Sequence, residues 1–175
     1  ASGVIDKAAL TLAAATDTKT YDATIASTGT VGVTGLQGSD TVTGATQSFD
    51  SRNAGARTLI VNGGYTVNDG NNGGNYTVTT QTASGAIDKA ALTLAAATDT
   101  KTYDATITST GVVGVLGLQG SDTVTGAPQS FDSRNACART LLVNGGYTVN
   151  DGNGGGNYTV TTQTASGVID KAALT

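Results

Sequence analysis

Hydrophobic and polar residues alternate with a period of two in several short segments of this chain. In 57–61 the odd-numbered residues are Arg, Leu and Val, and the even-numbered ones are Thr and Ile. The segment 75–80 alternates a tyrosine and a valine with threonines, and 30–34 places two valines on one face. Such alternation is typical of β-strands that bury one face. The pattern therefore predicts a strand in each of these three segments.

One further segment fits two kinds of structure. Residues 6–15 are rich in alanine and leucine and begin with Asp6, which is a good helix N-cap residue. The same segment also alternates at Leu10, Leu12 and Ala14. Because its flanks are rich in threonine, which favours strands, we predict a strand here and keep a short helix as the alternative.

Glycine-rich segments separate the predicted strands at 36–40, 62–64 and 68–74. Asn-Gly and Asp-Gly steps supply the positive φ angles that tight turns require. We therefore expect tight hairpin turns in these segments.

The whole pattern occurs twice. Residues 1–82 and 83–164 align without a gap and differ at only 8 positions, and 165–175 begin a third copy. Near-identical units of this length are typical of arrays in which each repeat is a folding unit. We place the first module at 7–88 and the second at 89–170. Residues 1–6 would then end a preceding repeat and 171–175 would begin a following one, with short, stiff junctions.

Two of the differing positions make specific predictions about the backbone. Thr46 is replaced by Pro128 in the second copy, so the amide at this position is not expected in a central strand ladder. Asn72 is replaced by Gly154, and both residue types tolerate left-handed backbone. We therefore expect a turn residue with positive φ at 72 and 154.

Composition narrows the classes of function. The chain has no Trp or Met and only two Phe, so we expect Val, Leu, Ile and Ala to form most of the core. Its net charge is −4 and no basic run occurs, which argues against binding to nucleic acid or anionic membranes. No apolar stretch approaches the roughly 20 residues of a membrane-spanning helix, so we expect no membrane insertion.

The residue types needed for most catalytic sites are missing. The chain has no His and no Glu, and its single Cys occurs in one copy only. Nucleophilic systems of the Ser-His or Cys-His type therefore cannot be assembled. We predict that the protein is not an enzyme and has no catalytic residues and no cofactor.

Calcium is the remaining candidate for a bound metal. The loops 68–75 and 150–157 hold Asp and Asn oxygens among glycines, which are ligands that hard cations accept. Each loop offers a single carboxylate, that of Asp69 or of Asp151. We therefore predict ordinary turns and no metal site, with calcium binding as the alternative, and expect chelation to leave the thermal midpoint unchanged.

The sequence also leaves two covalent features open. Cys137 stands where the first copy has Gly55, so the array does not depend on a thiol, and pairing between chains is the alternative to a chance exchange. Lys7 and Lys19, with asparagines and aspartates in the same copy, leave an internal Lys–Asn isopeptide bond as a further alternative.

Three phrases occur in both copies and resemble a known family. These are KTYDAT at 19–24, GNYTVT at 74–79 and IDKAALT at 5–11. Together they resemble the YDG and MBG-type repeats of very large bacterial surface proteins, among them filamentous-haemagglutinin-like adhesins. The chain has Ala23 and Ala105 where that family often has glycine as the third residue of its Tyr-Asp-Gly motif. The resemblance implies an extracellular, all-β, Ig-like module that is repeated in a stalk, and it implies no catalytic residues.

These observations predict one fold and one function, each with one alternative. We expect an all-β chain of two tandem Ig-like β-sandwich modules stacked end to end as an elongated rod; a β-grasp-like module with a short helix is the alternative fold. The expected function is that of structural stalk repeats in an extracellular adhesin on the bacterial cell surface. The alternative is a repeated, weak glycan- or host-protein-binding module that acts through avidity. The expected partners are neighbouring repeats of the same chain, and a host or matrix glycan or protein, and we expect a monomer.

Overall fold

The computed structural model describes residues 2–174, and the chain divides between Asp88 and Lys89 into two compact units. We call them unit 1 and unit 2. Within residues 2–174 all regular structure is β-strand and there is no helix. The predicted all-β fold is therefore confirmed, as is the strand within 6–15. The alternative with a helix in that segment is wrong, because its alternating leucines pack into a core.

Within residues 2–174, each unit contains nine strands. Those of unit 1 are β1 (Ala8–Ala13), β2 (Asp17–Thr20), β3 (Gly32–Thr34), β4 (Thr41–Thr43), β5 (Gln47–Phe49), β6 (Gly55–Val61), β7 (Thr66–Asn68), β8 (Tyr76–Gln81) and β9 (Ala83–Asp88). Those of unit 2 are β10 (Ala90–Ala95), β11 (Asp99–Thr102), β12 (Gly114–Leu116), β13 (Thr123–Thr125), β14 (Gln129–Phe131), β15 (Cys137–Val143), β16 (Thr148–Asn150), β17 (Tyr158–Gln163) and β18 (Ala165–Asp170).

The strands of each unit form three small sheets. In unit 1 the orders are β3-β1-β8, β2-β9-β6-β5 and β4-β7, and unit 2 repeats them with the equivalent strands. The two-stranded ribbon packs on the three-stranded sheet, since Val42 and Val67 contact the cluster that contains Leu10 and Tyr76. Each unit is therefore a layered β-structure. Its three-stranded sheet contains β1 and β8, and its four-stranded sheet contains the strands that follow them, β2 and β9.

The hairpins predicted at the glycine-rich segments are wrong. The segment 36–40 joins β3 to β4, 62–64 joins β6 to β7, and 68–74 joins β7 to β8, and none of these pairs of strands is hydrogen-bonded. The glycines still serve tight turns, as the positive φ angles of Gly38, Gly64 and Gly70 show. The turns change the sheet to which the chain belongs instead of reversing it within one sheet.

The first and last strands of a unit run side by side in the same direction. β1 pairs with β8 in parallel, with Ala8 opposite Tyr76, and β2 pairs with β9 in parallel, with Thr20 opposite Asp88. Both pairings keep the same offset of 68 residues. The chain therefore enters unit 1 at Ala8, at one end of the paired segments, and leaves it at Asp88, at the other end. Because strands rise about 3.3 Å per residue, a straight path from Ala8 to Thr20, opposite Asp88, would measure about 40 Å.

The core of each unit combines aliphatic and aromatic side chains. Leu10, Leu12 and Leu59 are completely buried, as the alternation predicts. Phe49 and Tyr76 are also at least 96% buried, with exposures of 1% and 4%. The few aromatic residues thus occupy central core positions, and the core is less exclusively aliphatic than the composition suggests.

The differences between the copies agree with the backbone. Asn72 and Gly154 have φ angles of 52° and 61°, which confirms the predicted left-handed turn. Pro128 lies just before β14 and uses only its carbonyl, which accepts a hydrogen bond from the Asn144 amide at 2.9 Å. The absence of an N–H at position 128 therefore removes nothing from the ladder of β14, as predicted.

Candidate functional site

Buried Gln47 holds the segment between β1 and β2, where the chain passes from one sheet to the next. Between β1 and β2, the amide of Ala15 donates to Gln47 Oε1 at 2.7 Å, and Gln47 Nε2 donates to the Ala15 carbonyl at 2.8 Å. The side-chain amide thus forms the two bonds that a neighbouring strand would form. Gln47 is only 3% exposed. It satisfies backbone groups that would otherwise lack partners at the crossing point.

The same glutamine belongs to a wider group that we call the Gln47 cluster, made of Ala15, Asp17, Ser27 and Gln47. Gln47 Nε2 also donates to Ser27 Oγ at 2.9 Å, and the Ser27 hydroxyl donates to Asp17 at 2.5 Å. The Ser27 hydrogen bond lowers the pKa of Asp17. Unit 2 repeats the arrangement, with Gln129 bonded to Ala97 at 2.7 and 2.9 Å.

Gly29 leaves the space that this cluster needs. A Cβ atom at Gly29 would lie 2.2 Å from Gln47 Nε2, which is far inside van der Waals contact. The glycine is therefore required by a close approach, because its φ angle is not in the left-handed region. The sequence gives no signal for Asp17, Ser27 or Gln47, since none of them lies in a recognisable local motif.

A second group, the Lys19 cluster, is made of Lys19, Asp22, Thr24 and Phe49. Lys19 Nζ lies 2.7 Å from Asp22 Oδ1, donates to the Thr24 carbonyl at 2.8 Å and lies 5.4 Å from the centre of the Phe49 ring. The lysine side chain is 17% exposed. Its charge is therefore held in a nearly closed ring of acceptors and an aromatic face.

The carboxylates of the Lys19 cluster and of its equivalent in unit 2 are held in the ionised form. Desolvation raises the pKa of Asp22, but the bonds from Lys19 and from Thr24 outweigh it, and the pKa lies below its ordinary value. In unit 2 the Lys101 hydrogen bond lowers the pKa of Asp104 to about 2. The hydrogen bonds of Lys19 Nζ go to Asp22 and Thr24, and those of Lys101 Nζ go to Asp104 and Thr106. The geometry thus gives each of these lysines an ion pair with an aspartate in place of the contact with an asparagine that a Lys–Asn isopeptide bond requires.

The KTYDAT phrase owes its turn to this cluster. Asp22 Oδ1 accepts a hydrogen bond from the Thr24 amide at 2.9 Å, which closes a turn around Ala23. Ala23 and the equivalent Ala105 have φ angles of 64° and 66°, in the left-handed region that favours glycine. The alanine is therefore strained at the position where the resembling family often has glycine.

We expect Ala23→Gly to stabilise unit 1. The substitution relieves the left-handed strain of alanine, about 1–2 kcal/mol, and adds unfolded-state entropy that offsets about 0.4–1 kcal/mol of it. The net gain of about 0.5–1 kcal/mol corresponds to a rise of a few degrees in the thermal midpoint. Ala13→Gly, in the extended strand β1, is the control and should lower the midpoint. A lower midpoint for Ala23→Gly would contradict the strain.

The calcium candidates are loops closed by their own backbone. Asp69 Oδ1 accepts the amides of Asn71 and Gly73, both at 2.8 Å, and Oδ2 accepts the Asn75 amide at 3.0 Å. Desolvation raises the pKa of Asp69, but these donors outweigh it and the pKa is lowered. Asp151 has the same three bonds in unit 2. The carboxylate therefore organises the turn, and its lone pairs face N–H donors.

A tyrosine at the start of β8 fixes the preceding loop. The Tyr76 hydroxyl donates to Asp40 at 2.6 Å and accepts the amide of Gln37 at 2.8 Å. The hydrogen bond to Asp40 raises the pKa of Tyr76. In unit 2, Tyr158 makes the same bonds to Asp122 and Gln119. This tyrosine is a core residue whose hydroxyl is held by two hydrogen bonds.

A shallow cavity recurs in both units beside the turn closed by Asp69 or Asp151. It measures about 320 Å³ in unit 1 and about 310 Å³ in unit 2. Its lining in unit 1 consists of Tyr65, Thr66, Val67, Asn72, Gly73 and Val78. Tyr65 is half-buried and packs against the Leu10 cluster, so only part of its ring faces the cavity.

The remaining candidate side chain, Cys137, is an exposed free thiol at the start of β15. Among residues 2–174, no three His, Cys, Asp or Glu side chains lie together as a group that could hold a metal ion. The same residues include no helix with the length and hydrophobicity that a membrane crossing requires.

The fold and these clusters define a tandem repeat protein made of all-β modules. A family model described as the YDG domain matches residues 6–83 and again 88–165. The chain therefore belongs to the YDG domain family and contains two copies of the domain. Comparison with curated proteins and with solved structures gives no significant match.

Proposed function

We propose that the two YDG domains are structural stalk repeats of an extracellular bacterial adhesin, which project a distal binding region from the cell surface. The observation that carries the proposal is the parallel pairing of the first and last strands in each unit. With Ala8 opposite Tyr76 and Thr20 opposite Asp88, the chain crosses a unit from one end to the other. We expect a module built in this way to lengthen the stalk each time it is repeated.

The junction supports the same proposal. β9 ends at Asp88 and β10 begins at Ala90, so only Lys89 separates the strands of consecutive units. A connection this short carries little conformational freedom compared with a Gly/Ser linker. The surface location itself rests on the resemblance to repeats of large bacterial surface proteins and on the tandem arrangement.

The stalk proposal requires an extended chain in solution. Two units of about 40 Å placed in succession give a length of about 80 Å and a radius of gyration of about 24 Å, whereas a compact chain of 175 residues would give about 16 Å. We expect the larger value by small-angle X-ray scattering. A control with three Gly-Ser pairs inserted between Asp88 and Lys89 should broaden the distance distribution. A value near that of the compact chain would overturn the proposal.

The second candidate function is weak, repeated binding of a glycan. The observation that favours it is the recurring cavity at Tyr65 and Tyr147, which places the same partly exposed aromatic ring in both units. Aromatic rings and nearby polar groups are common in sites for small polar ligands. Reproducible saccharide binding on a glycan array would favour this candidate over a purely structural repeat.

A further inference from the structure

Tension applied to the chain ends reaches each unit through its first and last strands. The chain enters unit 1 at Ala8 on β1 and leaves it at Asp88 on β9. These strands belong to two parallel pairs, β1 with β8 and β2 with β9. A pull on the ends therefore drives the segment 8–20 one way and the segment 76–88 the other way, along their common direction.

The hydrogen bonds between these segments run across the direction of the pull. Ala8 donates to the Asn75 carbonyl at 2.9 Å, Ala14 donates to the Gln81 carbonyl at 2.9 Å, and Tyr21 donates to the Asp88 carbonyl at 2.8 Å. These three bonds mark the start, the middle and the end of the paired segments. Because both pairs run in the same direction with the same offset, sliding of one segment past the other loads the bonds of both pairs together.

Side chains fix the first segment to the rest of the unit at points where the strand ladder alone would be weak. Gln47 replaces the missing strand partner at Ala15 with two hydrogen bonds. The hydroxyls of Thr11 and Thr79 lie 3.3 Å apart across the β1–β8 pair. Lys19, just before the end of β2, is held by Asp22 and the Thr24 carbonyl.

We propose that each YDG unit is a mechanical clamp that resists stretching through shear of its two parallel strand pairs. Each unit resists stretching independently of the other. The tension is applied to unit 1 at Ala8 and Asp88, and to unit 2 at the equivalent residues. The proposal deepens the stalk function, because a stalk that holds a surface ligand under flow must transmit force without unfolding. Forced unfolding is governed by the unfolding rate, so the clamp acts by raising the barrier to unfolding under load.

The test compares two directions of pulling on unit 1 at constant force. The first uses handles at the two termini of the 175-residue chain, which shears the strand pairs. The second uses the N terminus and a thiol introduced by Asn72→Cys, with Cys137→Gly to remove the native thiol. Residue 72 lies in the exposed loop just before β8, next to Ala8, so this pull peels β1 from β8 one bond at a time.

We expect unit 1 to unfold at least about tenfold faster in the peeling direction at the same force, a barrier difference of about 1.4 kcal/mol. End-to-end pulling should give two steps, each releasing about 240 Å of chain, since 81 residues extend to about 280 Å and the folded unit already spans about 40 Å.

The substituted protein pulled through its termini is the matched control. It carries the same strain of a cysteine at residue 72, where φ is 52°, as the protein pulled in the peeling direction, so the tenfold ratio is measured against it. Equal or slower unfolding in the peeling direction would overturn the clamp. The radius of gyration tests the stalk separately, because a folded-back chain could still contain two shear-resistant units.

Discussion

Gln47→Leu is expected to destabilise unit 1 by about 3 kcal/mol, because the substitution leaves both backbone groups of Ala15 without their partner and each such group costs about 1–3 kcal/mol. Gln47 is 3% exposed and leucine has a similar size, so packing changes little. Ser27 also loses the amide that donates to its hydroxyl. A loss of this size should lower the thermal midpoint of unit 1 by about 12 °C or more.

The chain supplies its own controls for this prediction. Gln37→Leu changes an exposed glutamine whose Nε2 bonds only to the Gly35 carbonyl at 3.2 Å, and it should alter the midpoint very little. Gln129→Leu should reproduce the effect of Gln47→Leu in unit 2. Differential scanning calorimetry would measure all three. If Gln47→Leu behaved like Gln37→Leu, the bridge to Ala15 would not contribute to stability.

The strands themselves could be predicted from local pattern, because burial of one face leaves a period of two in the sequence. This holds for β6 and β8, and for β1, whose Leu10 and Leu12 are completely buried. The turn geometry at Asn72 could likewise be predicted from the exchange with Gly154. In each case the physical cause acts within a few residues, so the sequence records it locally.

Strand pairing could not be predicted in the same way. The pairs that define the unit join residues 68 positions apart, such as Thr11 and Thr79. Glycine-rich turns indicate where the chain bends but not which sheet the next strand joins, and hairpins were therefore predicted where the chain changes sheets. Among the described residues of unit 1, 2–88, only β5 and β6 are both consecutive and paired.

The candidate site could be predicted from the sequence only in part. The phrase KTYDAT was singled out by its resemblance to a family, but the roles of Lys19 and Asp22 follow only from the turn that brings them to 2.7 Å. Gln47 carries no local signal, because a buried glutamine resembles any polar residue between short strands. Repetition in unit 2 shows that such a cluster is part of the module, since Gln129 makes the same bonds.

Acid is expected to destabilise both units between about pH 4 and pH 2, because six aspartates have pKa values below the ordinary value. They are Asp17, Asp22, Asp69, Asp99, Asp104 and Asp151. The Ser109 hydrogen bond lowers the pKa of Asp99, and the Lys101 hydrogen bond lowers that of Asp104 to about 2. Each of these carboxylates closes a turn or fixes a strand in its ionised form.

The sign of the effect follows from proton uptake. A carboxyl with a lowered pKa in the folded state binds its proton at lower pH than in the unfolded chain, so the unfolded state takes up more protons as the pH falls. The stability is complete above the unfolded pKa of about 3.9 and is lost as the pH falls through the folded value, about 2 for Asp104. Thermal midpoints measured from pH 6 to pH 2 should therefore be level at first and then fall steeply below pH 4.

The double variant Asp17→Asn, Asp99→Asn should be less stable at pH 7 and show a shallower fall, because two of the six groups no longer titrate. A midpoint that stays constant down to pH 2, or an equally steep fall in the double variant, would show that these carboxylates do not hold the turns of the folded units.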